Sequence, residues 1–169
     1  EGARAKDPQK WEKDIEALEK ALETETDEFW RRRYMFYLAQ SYRDARKPAQ
    51  AIYRYQERAT MGGWNQEIFE SLNSSALMKA NLGYPKYEVI QEFLRAYEAA
   101  PDRAESLLHA SFFCRVNGWW NQAYIYSKQA LSLVAGPRDG LFVISWVYDF
   151  GIYEEHALTS NYTGRHREA

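Results

Sequence analysis

The sequence is poor in the residues that mark several protein classes. It has one cysteine, Cys114, in 169 residues, so the chain cannot form an internal disulfide, and we expect a reducing, cytoplasmic compartment. Nine glycines and five prolines are too few for a low-complexity disordered chain. No apolar run approaches the ~20 residues that a membrane-spanning helix needs, so no membrane span is predicted.

The N-terminus lacks two further features. Residues 1–10 contain neither the apolar core of a signal peptide nor an initiating Met, and we interpret the chain as an excised or processed piece of a longer protein. The remaining sequence is rich enough in apolar residues, at 46% of the whole chain, to bury a core. We predict a flexible N-terminal segment over 1–10 and a single domain over 11–169.

Charge is distributed unevenly although the net charge is only −2. Residues 1–27 hold nine acidic and five basic side chains, whereas residues 31–58 hold eight basic and two acidic ones. The favoured interpretation of the basic region is a solvated face beside an acidic helix. The alternative is a site for an anion or a partner protein. Nucleic acid is not predicted as a partner, because the basic region is small and the net charge is negative.

Apolar residues recur at intervals of three and four, which predicts helices and almost no strand. We expect helices over about 9–24, 28–45, 48–61, 64–82, 85–100, 103–117 and 119–134, and a last helical segment over 139–163 with an irregular start. Asp27 and Asp102 are predicted N-caps, and Pro48 suits a first helical turn.

The helices repeat in pairs. Gly83, Gly118 and Gly164 are each predicted in the turn between two helices, with Arg46 in the corresponding first turn, and a small residue follows each turn by five or six positions (Ala51, Val89, Ala123 and Ala169). A two-helix repeat of about 34 residues is the tetratricopeptide pattern. We therefore predict an all-α, tetratricopeptide-like solenoid with a leading helix, three helical hairpins and an incomplete last hairpin. Ala39 and Ala51 are expected where two helices cross closely, with Tyr42 and Tyr55 packed around them.

Four stretches carry a resemblance to a known family, namely FYLAQSYRDA from Phe36, RATMGGW from Arg58, FLRAYEAAPDRAESLL from Phe93 and LFVISWVYDFGIYEEHALTSNYTGR from Leu141. They resemble the tetratricopeptide region that follows the catalytic domain in some family-2 glycosyltransferases, and the likeness extends from Trp11 to Ala169. The resemblance implies an accessory module of such an enzyme. The family's catalytic domain carries an Asp-x-Asp metal motif, and this sequence has none. Glycosyltransferase activity is therefore not expected of this chain.

No residue pattern predicts catalysis, a metal site or a cofactor. Asp149-Phe-Gly matches a kinase tripeptide without the other kinase motifs, and is interpreted as a turn at a helix start. Cys114 and His109 lie about 140° apart on one helix, so Cys114 is interpreted as a buried apolar residue. The three histidines have no metal-ligand spacing and are expected at the surface or partly packed. The adjacent Trp119 and Trp120 are interpreted as packing residues rather than a glycan-stacking platform.

The repeat also predicts a concave groove lined by the first helix of each hairpin. The predicted lining residues are Arg33, Phe36, Gln40 and Arg43 in the first hairpin, Asn73, Leu77 and Ala80 in the second, and Leu108, Phe112 and Arg115 in the third. Arg43 and Arg115 occupy equivalent positions and would flank a carboxylate or phosphate. The competing interpretation pairs them with Glu70, Glu105 or Glu154.

These patterns predict a non-catalytic binding or scaffolding module. The expected partner is a protein or peptide, or an attached catalytic domain, and the expected context is the accessory repeat region of a glycosyltransferase-like protein. A free-standing protein-interaction adaptor and a carbohydrate-acceptor-binding module are the alternatives. Because the last hairpin lacks a second helix, the C-terminal edge is also expected to be unstable or to self-associate.

Overall fold

The protein is helical throughout the part that the structure describes. The computed structural model describes residues 9–137 and 139–168, and within them eight α-helices and no strand are found. The helices are α1 Lys10–Thr24, α2 Glu28–Asp44, α3 Pro48–Thr60, α4 Asn65–Asn81, α5 Lys86–Ala99, α6 Glu105–Val116, α7 Trp120–Leu131 and α8 Ile152–Tyr162, and a π-helical turn, Val147–Gly151, leads into α8. Most of the predicted flexible segment 1–10 lies outside the described residues.

The helix starts follow the capping residues only in part. Asp27 caps α2 as predicted, because its Oδ1 accepts hydrogen bonds from the backbone N–H groups of Phe29 at 2.8 Å and Trp30 at 3.4 Å. The prediction for Asp102 is wrong. A turn separates Asp102 from the start of α6 at Glu105, so its side chain is out of register, and the N-cap position falls to Ala104.

The last segment, predicted over 139–163 with an irregular start, is irregular for longer than a helix start, because helical structure begins only at Val147. Residues 139–146 form a loop, hereafter the 139–146 loop, and α7 ends at Leu131 rather than near residue 134. The backbone of this loop bonds outside itself: Arg103 donates to the carbonyl oxygen of Leu141 at 2.8 Å. Local turn bonds, from Val143 to the carbonyl oxygen of Gly140 at 3.4 Å and from Val147 to that of Ile144 at 2.9 Å, and contacts with distant residues together take the place of helical hydrogen bonds.

The helices pair in chain order. α2 packs on α3, α4 on α5 and α6 on α7, while α1 covers α2 and α8 lies against α7. Each hairpin turn has a residue in the left-handed region, with φ of 58° at Arg46, 73° at Gly83 and 78° at Gly118. The backbone N–H that follows donates to the carbonyl five residues back along the helix, as Lys47 does to Tyr42 at 2.9 Å.

The close helix crossing predicted for the first hairpin is confirmed. Ala39 and Ala51 are completely buried, and Tyr42 and Tyr55 are buried in the same apolar cluster. The corresponding residues Val89 and Ala123 are also completely buried. Ala169, the fourth member of the predicted series, lies outside the described residues.

Candidate binding groove

A row of exposed apolar side chains follows the first helices of successive hairpins. Leu77 of α4, Phe112 of α6 and Leu158 of α8 each precede the glycine of their turn by six residues, and they are 37%, 52% and 37% exposed. Gln40 holds the corresponding position on α2. Leu158 was missed in the sequence analysis because the groove was aligned over three hairpins only, although counting back from Gly164 finds it.

Two depressions flank Phe112. The first, about 330 Å³ in volume, lies between α4 and α6, and its lining includes Leu77, Tyr84 and Val116. The second, about 360 Å³, lies between α6 and α8, and its lining includes Leu108, Trp146 and Leu158. Trp146 packs on Gly151, where an added Cβ would come within 2.7 Å of the indole ring. Side-chain-sized space is therefore available on both sides of the exposed ring.

The floor beside Phe112 is polar but uncharged. His109 Nδ1 lies 2.9 Å from Asn73 Oδ1, an acceptor, so Nδ1 carries the proton of a neutral ring. Burial lowers the pKa of His109 to about 4, although Glu105 opposes the shift. At neutral pH the groove therefore presents no imidazolium charge at this point.

The two arginines predicted to flank an anion both have carboxylate partners, but not the ones expected. Arg115 Nε donates to both carboxylate oxygens of Glu155 at 3.0 Å, and its guanidinium lies 4.9 Å from the centre of the Phe112 ring. Arg43 Nε donates to the neighbouring Asp44 at 2.8 Å, and its side chain is 44% exposed. An anion held between these two arginines stays a prediction.

The α2 end of the predicted groove is covered. Phe36 is only 2% exposed, because it packs in the apolar cluster that includes Tyr55 of α3, and Phe142 of the 139–146 loop also stacks on it with ring centroids 6.4 Å apart. Arg33 is bound to Glu67 and to the hydroxyl of Tyr37. Of the predicted lining residues, Leu77 and Ala80 of α4 and Leu108, Phe112 and Arg115 of α6 border the two depressions. The prediction is wrong for Asn73, which is buried against His109, and for Phe36, which lies beneath the loop.

The arginine-rich region of α2 serves the packing of its neighbours. Arg31 donates to the carbonyl oxygens of Leu22 at 2.9 Å and Glu25 at 2.8 Å, at the end of α1. Arg32 donates to the carbonyl oxygen of Met61, after α3, at 3.0 Å. These bonds satisfy backbone groups that helix ends leave open, so they stabilise helix ends rather than form an open anion site.

Buried ion pairs link successive hairpins. Arg103 is completely buried and donates at 2.8 Å to both Glu70 and Glu105. Burial raises the pKa of Glu70 to about 7 despite Arg103. Burial also opposes ionisation of Glu105, but hydrogen bonds from Arg103 and Tyr148 outweigh it and lower the pKa of Glu105. One guanidinium thus joins α4, α6 and the 139–146 loop.

Cys114 and His156 are packed into the core. Cys114 is completely buried, and burial raises the pKa of its thiol to about 12. His156, expected at the surface or partly packed, is instead buried between Ser127 Oγ at 3.2 Å and Ser160 Oγ at 3.4 Å. The bond of His156 to Ser127 packs α8 against α7. Within residues 9–137 and 139–168, no cluster of three or more His, Cys, Asp or Glu side chains has a geometry suited to a metal ion.

The tryptophan pair divides between packing and surface. Trp120 stacks on Tyr162 with ring centroids 4.3 Å apart, so it joins α7 to α8. Trp119 is 40% exposed, and Lys86 Nζ lies 5.2 Å from its ring. Among the described helices, none is both long enough and apolar enough to cross a bilayer.

The paired helices and their glycine-closed turns define a tetratricopeptide-type helical-repeat solenoid. Two crystal structures of MamA share this architecture. The first aligns with 94% of this chain over 82% of its own length, with a TM-score of 0.65 and 16% sequence identity. The second aligns with 94% of this chain over 76% of its own length, with a TM-score of 0.68 and 15% sequence identity. Neither the protein-family models nor the curated proteins show a match to the sequence. The similarity confirms the predicted fold class.

Proposed function

We propose that this chain is a non-catalytic scaffold that binds a segment of a partner protein along Leu77, Phe112 and Leu158. The supporting observation is that three successive first helices expose an apolar side chain at the same repeat position. A contiguous apolar row of this kind on a surface is typical of a protein-interaction site. Repeat solenoids use such surfaces to bind extended partners.

The spacing of the row suggests the form of the partner segment. Neighbouring packed helices lie about 8–10 Å apart, so the two depressions beside Phe112 are separated by a similar distance. Three residues of a chain in the extended polyproline II conformation rise about 9 Å and bring the next side chain back to the same face. We therefore expect an extended segment with two apolar side chains three residues apart, one for each depression.

The wider context remains a proposal that rests on the sequence resemblance. An accessory module of a glycosyltransferase-like protein would use the groove to hold its own catalytic domain or a substrate protein, whereas a free-standing adaptor would bind a separate partner. A glycan is less well supported, because Arg115 lies over the Phe112 ring and covers part of the surface on which a sugar would stack.

The test is a selection of random displayed peptides on the purified chain, followed by affinity measurements on the selected sequences. We expect enrichment of an apolar-x-x-apolar spacing and at least roughly tenfold weaker binding to Phe112→Ser, equivalent to about 1.4 kcal/mol. Ile125→Ser is the matched control, since Ile125 is 53% exposed on α7, a second helix outside the row. Equal losses for the two variants, or none for Phe112→Ser, would rule out the row as the binding site.

A further inference from the structure

The chain already has a segment seated on part of the groove. The 139–146 loop passes the first residues of α6 and α4 and places Phe142 on Phe36 of α2. Leu141 packs against the same apolar cluster as Phe36. The α2 end of the groove is thus filled by an aromatic ring and a leucine, whereas the Phe112 region is open.

The contacts that hold the loop use its backbone and its apolar side chains. Arg103 Nη1 donates to the carbonyl oxygen of Leu141 at 2.8 Å, and the backbone N–H of Ile144 donates to Glu105 Oε1 at 3.5 Å. Any extended segment supplies such carbonyl and N–H groups. What the site requires in addition is a large apolar ring for Phe36, so its preference is for an aromatic residue in an extended segment.

The middle of the loop, at Phe142, is held loosely for a residue that lies on an apolar surface. Phe142 has φ of 53°, a backbone conformation that is unfavourable for a bulky residue and is found mostly where the surroundings impose it. Its ring remains 57% exposed, so only part of its apolar area is removed from water. The Ile144 bond is at the long limit for an N–H donor. Displacing the loop would relieve the strained backbone, but it would also break the bonds to Arg103 and Glu105 and the packing of Leu141 and Val143, which a partner segment must replace.

We infer that the 139–146 loop is an internal competitor: a partner segment with an aromatic side chain binds against Phe36 and Arg103 by displacing it. This inference rests on the proposed function, because it extends the same groove from α4, α6 and α8 to α2. The loop then sets a threshold for binding, since a partner must replace its contacts before it gains new ones.

The experiment uses a fluorescently labelled peptide of residues 139–146 as the probe and follows its anisotropy with the full chain. We expect weak binding to the wild type, because the tethered loop competes with the peptide at high effective concentration. Phe142→Ala should bind roughly fivefold more tightly, and a variant with residues 141–144 replaced by Gly and Ser roughly tenfold more tightly. A peptide with its Phe replaced by Ala should lose this gain.

Phe150→Ala is the matched control, since Phe150 is 65% exposed in the adjoining π-helical turn and is expected to leave affinity unchanged. Circular dichroism identifies any variant that fails to fold, and Phe142→Ala changes only a half-exposed side chain. Equal affinity of the peptide for the wild type and for both folded loop variants would overturn the inference, as would equal binding of the Ala peptide.

The two proposals fail separately. The 139–146 peptide should bind Phe112→Ser as well as it binds the wild type, because its site lies at α2. If the loop variants gain no affinity while Phe112→Ser still loses the selected peptides, only the internal competitor is excluded. If the loop variants gain affinity but Phe112→Ser loses nothing, the row of Leu77, Phe112 and Leu158 is excluded instead.

Discussion

Arg46 and Gly83 end equivalent helices in the same left-handed conformation, with φ of 58° and 73°. A residue with a Cβ pays about 1–2 kcal/mol for this conformation, and glycine does not. Part of this gain in stability is lost, because glycine has more conformational freedom in the unfolded chain and so stabilises the unfolded state. We therefore expect Arg46→Gly to raise the free energy of unfolding by about 0.5–1 kcal/mol, measured by urea denaturation.

Gly83→Ala is the reciprocal control. A Cβ added at Gly83 would have no atom within 4 Å, so any loss reflects backbone conformation alone. We expect Gly83→Ala to destabilise the protein by about 1 kcal/mol. If Arg46→Gly lowered stability, the Arg46 side chain would have to make contacts that outweigh its backbone strain.

The helix crossing in the first hairpin should resist added volume. Ala51 is completely buried, so Ala51→Leu must displace its neighbours and is expected to destabilise by about 1–3 kcal/mol in a thermal or urea melt. Ala49 lies on the exposed side of the same helix, and Ala49→Leu should change stability by less than about 0.5 kcal/mol. An unchanged melt for Ala51→Leu would place the crossing point elsewhere.

Much of the fold could be predicted because local signals agree with the tertiary structure. Pro48 begins α3, Asp27 caps α2, and the left-handed residues end the first helix of each hairpin, so these boundaries depend on neighbours in sequence. The apolar positions Leu77 and Phe112 followed from the repeat alone.

The 139–146 loop could not be predicted in the same way. Its sequence, Asp139 to Trp146, was predicted only as the irregular start of a helical segment, because its conformation depends on Arg103 and Glu105, more than thirty residues away. The partner of Arg115 was also missed. The competing interpretation named Glu70, Glu105 or Glu154 as partners of the two arginines, whereas the helix face that meets α6 carries Glu155.

The buried pair Arg58–Glu67 should be sensitive to loss of charge. Glu67 Oε2 accepts from Arg58 Nε at 3.1 Å and Nη2 at 2.8 Å, and Glu67 also binds Arg33 on α2. Because Glu67→Gln leaves the buried Arg58 without a counter-charge, we expect a loss of about 3–5 kcal/mol. Glu28 pairs with Arg32 while 79% exposed, so Glu28→Gln should cost less than about 1 kcal/mol. Similar urea midpoints for the two variants would contradict this ranking.

His109 should make the protein sensitive to mild acid. Its pKa is lowered to about 4 in the folded protein, below the ordinary value of 6.5, so the unfolded chain binds more protons between these values. The stability that the neutral ring supplies is complete above pH 6.5 and is lost as pH falls towards 4. At pH 5 this loss should be about 1–2 kcal/mol relative to pH 7.

The measurement compares urea midpoints at pH 7 and pH 5 for the wild type and His109→Gln, which retains an amide donor for Asn73. Glu70 acts in the opposite direction, because its raised pKa removes stability as pH rises from about 4.5 to 7. Both proteins keep Glu70, so its contribution cancels in the difference between their free energies of unfolding. His166→Gln, at an exposed position, serves as the control. Equal acid sensitivity of the wild type and His109→Gln would exclude His109 as its source.

The C-terminal edge should be the least stable part of the described chain. Helices α4 and α6 are covered by neighbours on both sides, whereas α8 packs on α6 and α7 and leaves Phe150 and Tyr153 65% and 51% exposed on its approach and first turn. Because fewer buried contacts hold it, we expect backbone amides of α8 to exchange with solvent through smaller opening free energies than those of α6 and α7.

Hydrogen exchange should be measured in dilute monomer and again at high concentration. Faster exchange that slows at high concentration would indicate that a second copy covers Phe150 and Tyr153, and Tyr153→Ser should abolish that change. Protection of α8 in dilute monomer equal to that of residues 105–131 would contradict the prediction.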